Sequence, residues 1–220
     1  MDPTKHHEIA LISLETYNSI PNIDESNNIV RYSFRDETHD ITIPTGAYEL
    51  KQINDYIQRE LVQEDLFEFI ANDSTLKCIV RITNPDIKVH FDHTSSLREI
   101  LGFDSVIVQG LGDHEGSSIV NILKVNSILV HCDRIEGSYL NKTQAPVIYS
   151  FFPNVSPGYK IVENPSHPIY LPVSHNHIEN IRIWLTDQDR NPIDLRGETV
   201  TVRLNLRSYD KWKITIDASR

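Results

Sequence analysis

Between residues 177 and 207 the chain reads HIENIRIWLTDQDRNPIDLRGETVTVRLNLR, and the alternation at its two ends predicts two β-strands. In the second arm Val200, Val202, Leu204 and Leu206 alternate with Thr199, Thr201, Arg203, Asn205 and Arg207, the period-2 signature of a strand with one wet face. In the first arm Ile181, Ile183 and Leu185 point one way, and Arg182, Trp184 and Thr186 point the other. The link DQDRNPIDLRGE is rich in Asp, Asn, Pro and Gly, so the whole stretch reads as a β-hairpin with a long turn.

Residues 7–17 (HEIALISLETY) and 28–35 (NIVRYSFR) read as two further strands that start one sheet, the first apolar on both faces and therefore covered from both sides. A short strand over Asp40 to Ile43 follows. The period then changes: Leu50, Ile53, Ile57 and Leu61 fall at helical spacing, with Thr45 and Gly46 at the start and Pro44 breaking the strand before it. Leu76–Ile82 and Ile87–Phe91 read as a strand pair around the turn Thr83-Asn84-Pro85-Asp86. A short helix comes next, with Ser96 and Glu99 as a capping box and Gly102 as its stop. GLGDHEGS, residues 110–117, reads as a loop. Beyond it the strand candidates are Ser118–Leu123, Ser127–Cys132, Pro146–Phe152, Gly158–Val162 and Ile169–Val173, spaced as in a sandwich or barrel.

These elements predict an all-β chain: an antiparallel jelly-roll β-sandwich with a small α/β insertion. Residues 1–43 supply N-terminal jelly-roll strands, 44–103 the helix-hairpin-helix insertion, and 104–220 the remaining strands and a C-terminal arm. Trp212 falls in that arm, where it begins a short strand or docks on a neighbour. Prolines 153, 157, 165, 168 and 172 fall at edges and corners, where they hinder uncontrolled edge pairing.

Composition narrows the function more than the fold. A net charge of -10 argues against direct nucleic-acid binding, which depends on clustered Lys and Arg. Apolar content of 39% with no run near the ~20 residues of a bilayer span describes a soluble chain. The start MDPTKHHEIA lacks an apolar signal core, so cytoplasmic synthesis is expected. Cys78 and Cys132 sit in strand-like runs and read as small buried hydrophobes, and without a secretory route the sequons at Asn72, Asn141 and Asn154 stay unmodified.

Two constellations imitate metal sites. Asp187, Asp189, Asn191 and Glu198 fall at positions 1, 3, 5 and 12 of a calcium loop, but position 6 is Pro192 and the flanks are strands, so an Asx-rich turn is the expectation. His175 and His177, with Glu179, resemble half of a cupin centre, without a later histidine in a matching strand. His6, His7 and His114 read as ordinary surface residues. The chain has no nucleophile elbow, no His-Glu-x-x-His and no phosphate loop, so no catalytic, metal or cofactor residue is assigned. Tyr149, Phe151, Phe152 and Tyr159 read as core, with a glycan-binding patch as the alternative.

The run IWLTDQDRNPIDLRGETVTVRLNL resembles the end of the penton-like minor capsid proteins of Polinton (Maverick) elements and adintoviruses. IPTGAYEL, LREILGF and the stretch NSILVHCDRIEGSYLNKTQAPVIYSFFPNVSPGYKIVENPSHPIYLPV resemble the same family, which spreads the likeness over roughly residues 40–207. That resemblance implies a structural, non-enzymatic single jelly-roll subunit without cofactor. It implies homopentamers at the fivefold vertices of an icosahedral virion, set among capsomers of a double jelly-roll major capsid protein. Synthesis would be in the host cytoplasm, with the nucleus open as the place of assembly. Two other readings stand beside it: a jelly-roll carbohydrate- or receptor-binding module, with host domestication as one origin, and a cupin-type metalloenzyme.

Overall fold

The computed structural model describes residues 5–174 and 178–210. It is all-β and antiparallel, as a jelly-roll sandwich requires, and helix is confined to two short segments. The chain forms two compact units, one of residues 1–19 with 125–220 and the other of residues 20–124.

The first strand, β1 (Lys5–Tyr17), belongs to the first unit. The chain then builds the second unit from β2 (Ile29–Phe34), β3 (Glu37–Thr42), α1 (Leu50–Glu60), β4 (Phe67–Asn72), β5 (Lys77–Ile82), β6 (Ile87–His90), α2 (Arg98–Leu101), β7 (Ile107–Gln109) and β8 (Gly112–Glu115). It returns to the first unit with β9 (Ile128–Cys132), β10 (Tyr139–Leu140), β11 (Thr143–Gln144), β12 (Val147–Phe151), β13 (Lys160–Glu163), β14 (Leu171–Pro172), β15 (Ile183–Thr186) and β16 (Thr201–Asp210).

In the second unit one sheet has the order β3-β2-β6-β7 and the other β4-β5-β8. Both contribute to one core, in which the Tyr32 ring lies tilted against Phe67 with centres 5.5 Å apart and a file of rings continues through Phe69 and Phe91 to Phe103. The predicted helical stripe is real: Ile53 and Ile57 are fully buried. The helix starts at Glu49 instead of Thr45, because Glu49 and Gln52 close a capping box there. In α2 the Ser96 hydroxyl accepts the Arg98 amide, so the expected box with Glu99 does not form. Gly102 ends that helix in the left-handed region at φ 76°, and a Cβ there would lie 2.3 Å from the Ser118 carbonyl oxygen.

Several expected pairings differ. The strands at 76–82 and 87–91 are not a hairpin: β5 pairs β4 and β8, whereas β6 pairs β2 and β7. GLGDHEGS contains a strand, β8, held on β5 by the two-pronged Arg81–Asp113 ion pair at 2.7 and 2.9 Å. Residues 118–123 form no strand. Nor do the first two strands share a sheet, since β2 and β3 pair with each other and, through β6, with the second unit. That unit, at 20–124, is therefore wider than the 44–103 block expected from sequence.

Among the described residues the first unit has two larger sheets and the short two-stranded β10-β11 ribbon. One is built on β1, with β13 and β14 along one side and β16 along the other; the second has the order β12-β9-β15. Ile9, Leu11 and Leu14 of β1, Ile128 and Val130 of β9, and Ile161 of β13 are buried. β1 is covered on both faces over part of its length, as its pattern predicts, with Ala10 at 0% exposure opposite the Ile9 row. The 177–207 stretch is corrected most: both arms are strands, but β15 pairs β9 and β16 pairs β1, in different sheets. The turn after β15 closes on itself through a Thr186–Pro192 bridge and a hydrogen bond from the Asp187 amide to the Asn191 carbonyl, leaving β16 free to travel to β1.

Candidate assembly face on the terminal sheet

The sheet built on β1 carries a linked set of surface side chains, and its geometry begins with one residue. β1 pairs β16 from Lys5↔Asp210 to Glu15↔Thr201, but the register passes from Leu11↔Leu204 directly to Ser13↔Arg203. Ile12 is the extra residue of a β-bulge. The apolar residues of β1, Ile9, Leu11 and Leu14, are spaced two and then three apart, whereas Leu206, Leu204 and Val202 of β16 are spaced evenly by two. The bulge absorbs the difference, so that Ile9 meets Leu206, Leu11 meets Leu204 and Leu14 meets Val202 on one face.

The opposite face carries a linked set of polar and aromatic side chains. Arg207 donates to Glu8 at 2.7 and 2.8 Å, and the Tyr209 hydroxyl donates to the other Glu8 oxygen at 3.0 Å. The Arg207 guanidinium lies 3.6 Å from the centre of the Tyr170 ring, whose hydroxyl donates to Asn205 at 3.0 Å. His6 stacks on Tyr209 at 5.5 Å. The hydrogen bond to Glu8 raises the Tyr209 hydroxyl above its ordinary value. Further along the same face Lys160 pairs with Glu15; that hydrogen bond and the lysine charge hold the Glu15 carboxyl below its usual range.

This set is chemically suited to recognition. Tyr and Arg supply large, stiff contact surfaces, and side chains already held by one another lose little freedom when a partner covers them. Within it the charges of Glu8 and Arg207 neutralise each other on the sheet.

Elsewhere in the first unit, His131 and Trp184 face each other across β9 and β15, with rings parallel to within 8° and 4.9 Å apart. The Thr186 hydroxyl donates to the Asp187 carbonyl, so the His131 Nε2 donates to Thr186 at 2.9 Å. Trp184 thus covers a buried histidine, on the side opposite Ile183 and Leu185.

The metal-like constellations resolve differently. The Asp187 carboxylate is taken up by the amides of Asp189 and Asn191 at 2.9 and 2.8 Å and by the Asn191 side chain at 3.0 Å, as in an Asx turn. His175 and His177 lie outside the described residues, as does Trp212. His114 bonds the Gly110 carbonyl at 2.8 Å. Among the described residues no group of three or more His, Cys, Asp and Glu side chains is placed to hold a metal. Cys78 and Cys132 are buried, and burial pushes the Cys78 thiol up to about 12. Of the four aromatics read as core, Phe151 is buried and Tyr149 half-buried, but Phe152 and Tyr159 stand about two-thirds exposed, at 65% and 68%.

Two surface features lie in the second unit. A polar cavity of about 130 Å³ is lined by Ser26, Asn27, Ser96, Arg98, Asn121 and Lys124, among others. A shallow groove runs along α1 between Tyr48 and Tyr56, edged by Gln52, Asp55 and Arg59. Buried Asn22 fixes the Tyr48 backbone at both its amide and its carbonyl, at 2.9 and 2.7 Å. No helix among the described residues is long and apolar enough to cross a membrane.

No family model matches the chain, and no curated protein matches it. Among solved structures it is similar to the mavirus penton protein, at 12% sequence identity and a TM-score of 0.48, over 95% of this chain and 88% of that one.

Proposed function

We propose that the chain is a structural minor capsid protein, a penton subunit that closes rings of five at the fivefold vertices of an icosahedral shell. The observation that carries this reading is the cross-linked polar and aromatic face of Glu8, Tyr170, Asn205, Arg207 and Tyr209, a rigid surface built for contact and not for chemistry. The sequence resemblance to the Polinton and adintovirus minor capsid proteins supports it, and the net charge of -10 suits a container wall better than a genome-packaging protein. On this reading five copies repeat one heterologous contact, and the ring meets capsomers of a double jelly-roll major capsid protein in the virion. Catalysis, cofactor and direct nucleic-acid contact have no part in it.

The test is reconstitution of the purified chain with shells of the major capsid protein from the same genome, imaged by electron microscopy. Density for five copies at each vertex is expected. Shells whose vertices stay empty at saturating protein would refute the assignment. A second reading, a carbohydrate- or receptor-binding module, is favoured by the α1 groove, where two tyrosines flank Gln52, Asp55 and Arg59. Saturable glycan binding by a chain that never enters shells would select it.

A further inference from the structure

β16 is ten residues long, roughly 33 Å at the usual strand rise, and pairs on one side with β1. Among the described residues no strand takes its other side. An open edge of that length is a template for further pairing, which proteins ordinarily blunt with a proline, a bulge or an inward charge. β16 contains no proline, the bulge lies in β1, and its inward row is apolar at Val202, Leu204 and Leu206, with charge at Arg203 and Arg207 on the other row and at Asp210 at its end. That row is also incompletely covered. Ile9, Leu11 and Leu14 are at most 2% exposed, yet Leu206, the partner of Ile9, is 47% exposed.

We propose that this edge pairs with the same edge of a second copy, antiparallel, about a twofold axis through Leu204. The side chains choose the register. Keeping both apolar rows on one face allows only pairings centred on a residue. Centred on Arg203, the pairing sets that arginine against itself; centred on Asn205, it sets Arg203 against the partner's Arg207. Centred on Leu206, it sets Leu204 against the partner's Ser208 and Val202 against the partner's Asp210. Centred on Val202, it leaves Leu206, the most exposed of the row, outside the contact. Centred on Leu204, Val202 meets the partner's Leu206, Leu204 meets the partner's Leu204, and Arg203 meets the partner's Asn205. The apolar row then runs unbroken across both copies, and no like charges are opposed.

A second copy fits this edge better than a foreign peptide does. Strand-addition sites that read peptides combine the open edge with pockets for alternate side chains. The cavity and groove described above are lined by residues of the other unit, and β16 offers a flat row complementary to itself. A twofold contact also closes with two copies, so it removes the open edge instead of passing it on. The pairing stands apart from the fivefold reading: a ring of five uses the opposite, polar face and leaves or replaces the twofold contact.

Cross-linking at Leu204 tests it. Residues directly opposed across an antiparallel pair have Cβ atoms about 5 Å apart, within reach of a short bismaleimide. Cys78 and Cys132 are buried at 0% exposure and stay out of the reaction. Leu204→Cys should give a covalent dimer of about 51 kDa, twice the 25.3 kDa chain. Thr201→Cys should not, because its two copies would lie six residues apart along the paired strands. By light scattering the unmodified protein should reach the dimer mass at concentrations where Leu204→Lys stays at 25.3 kDa. Equal cross-linking at both positions, or none at Leu204 in a folded protein, overturns the proposal. A native mass of about 127 kDa without the Leu204 cross-link overturns the edge pairing and leaves the fivefold reading standing. A cross-linked dimer that never joins shells supports the pairing and overturns the vertex assignment.

Discussion

Two single-residue deletions in the paired strands β1 and β16 should have opposite outcomes. Ile12 is the unpaired residue of the bulge, so removing it turns Leu11↔Leu204, Ser13↔Arg203 and Leu14↔Val202 into a regular ladder without moving any apolar residue across the sheet. The loss is then the packing of one half-buried isoleucine, about 1 kcal/mol from the ordinary burial value of that side chain. Removing Asn205 from β16 has no bulge to absorb it. If the Leu11↔Leu204 pair is kept, Leu206 turns to the polar face and Arg207 turns inward against Ile9, away from Glu8. A charge then faces a buried apolar residue and its former partner is stranded, a defect of roughly 3 to 5 kcal/mol. For a chain of this size each kcal/mol moves a melting midpoint by about 2–4 °C. Thermal unfolding by circular dichroism should therefore place the Ile12 deletion within about 4 °C of the parent and the Asn205 deletion about 6–20 °C below it. Equal losses from the two deletions would refute the assignment of Ile12 as the bulged residue.

Three further outcomes are expected. Gly102→Ala places a Cβ 2.3 Å from the Ser118 carbonyl oxygen in a left-handed backbone, so the 20–124 unit should lose about 2 kcal/mol or more in denaturant unfolding; an unchanged midpoint would show that the turn relaxes freely. Burial, with the Arg190 charge adding to it, holds the His131 imidazole below its ordinary 6.5, so the unfolded chain takes up a proton at a pH where the folded one does not. That stabilisation is complete above 6.5 and is lost as pH falls below it, and His131→Gln should flatten the midpoint between pH 7 and pH 5 relative to the parent. Native protein should leave both thiols unmodified by an aromatic disulfide reagent at pH 8 and react twice when unfolded, since burial raises both cysteines; fast native labelling of Cys78 would contradict its enclosure.

Strand identity was legible in the sequence to a much greater degree than strand partnership. The alternation of Thr199 to Arg207 marks β16 because period 2 is a property of one strand and its two faces. It carries no information on which neighbour covers the edge. Proximity in sequence favours a hairpin with β15, but the link between them is longer than hairpin loops usually are, and its own Asx turn closes before β16 begins. The hairpin expected of β5 and β6 fails for the same reason, although Thr83-Asn84-Pro85-Asp86 does turn the chain. β8 is hidden in the sequence because its residues, Gly112 to Glu115, have no apolar alternation at all; it is a strand through its antiparallel ladder with β5, beside which Asp113 meets Arg81 and Glu115 meets Lys77.

The contact face was beyond a local reading for a further reason. Glu8 and Arg207 are separated by 199 residues, and Tyr170 and Asn205 by 35, so nothing in either neighbourhood marks them as partners. One long-range signal does exist. Ile9, Leu11 and Leu14 cannot all face one side of a regular strand, and a strand that buries all three on one face carries a bulge between Leu11 and Leu14. Given that bulge, the evenly spaced row of Val202, Leu204 and Leu206 is a matching partner, and the pairing then brings Glu8 opposite Arg207 and His6 opposite Tyr209 without further assumptions. The ionic and aromatic contacts of the outer face are thus a consequence of register set by the inner one. Any substitution that shifts the inner row should dismantle the outer face as a unit, whereas substitution of Tyr170 or Arg207 should leave the register intact and, on the proposed vertex reading, lower the occupancy of vertices seen by electron microscopy.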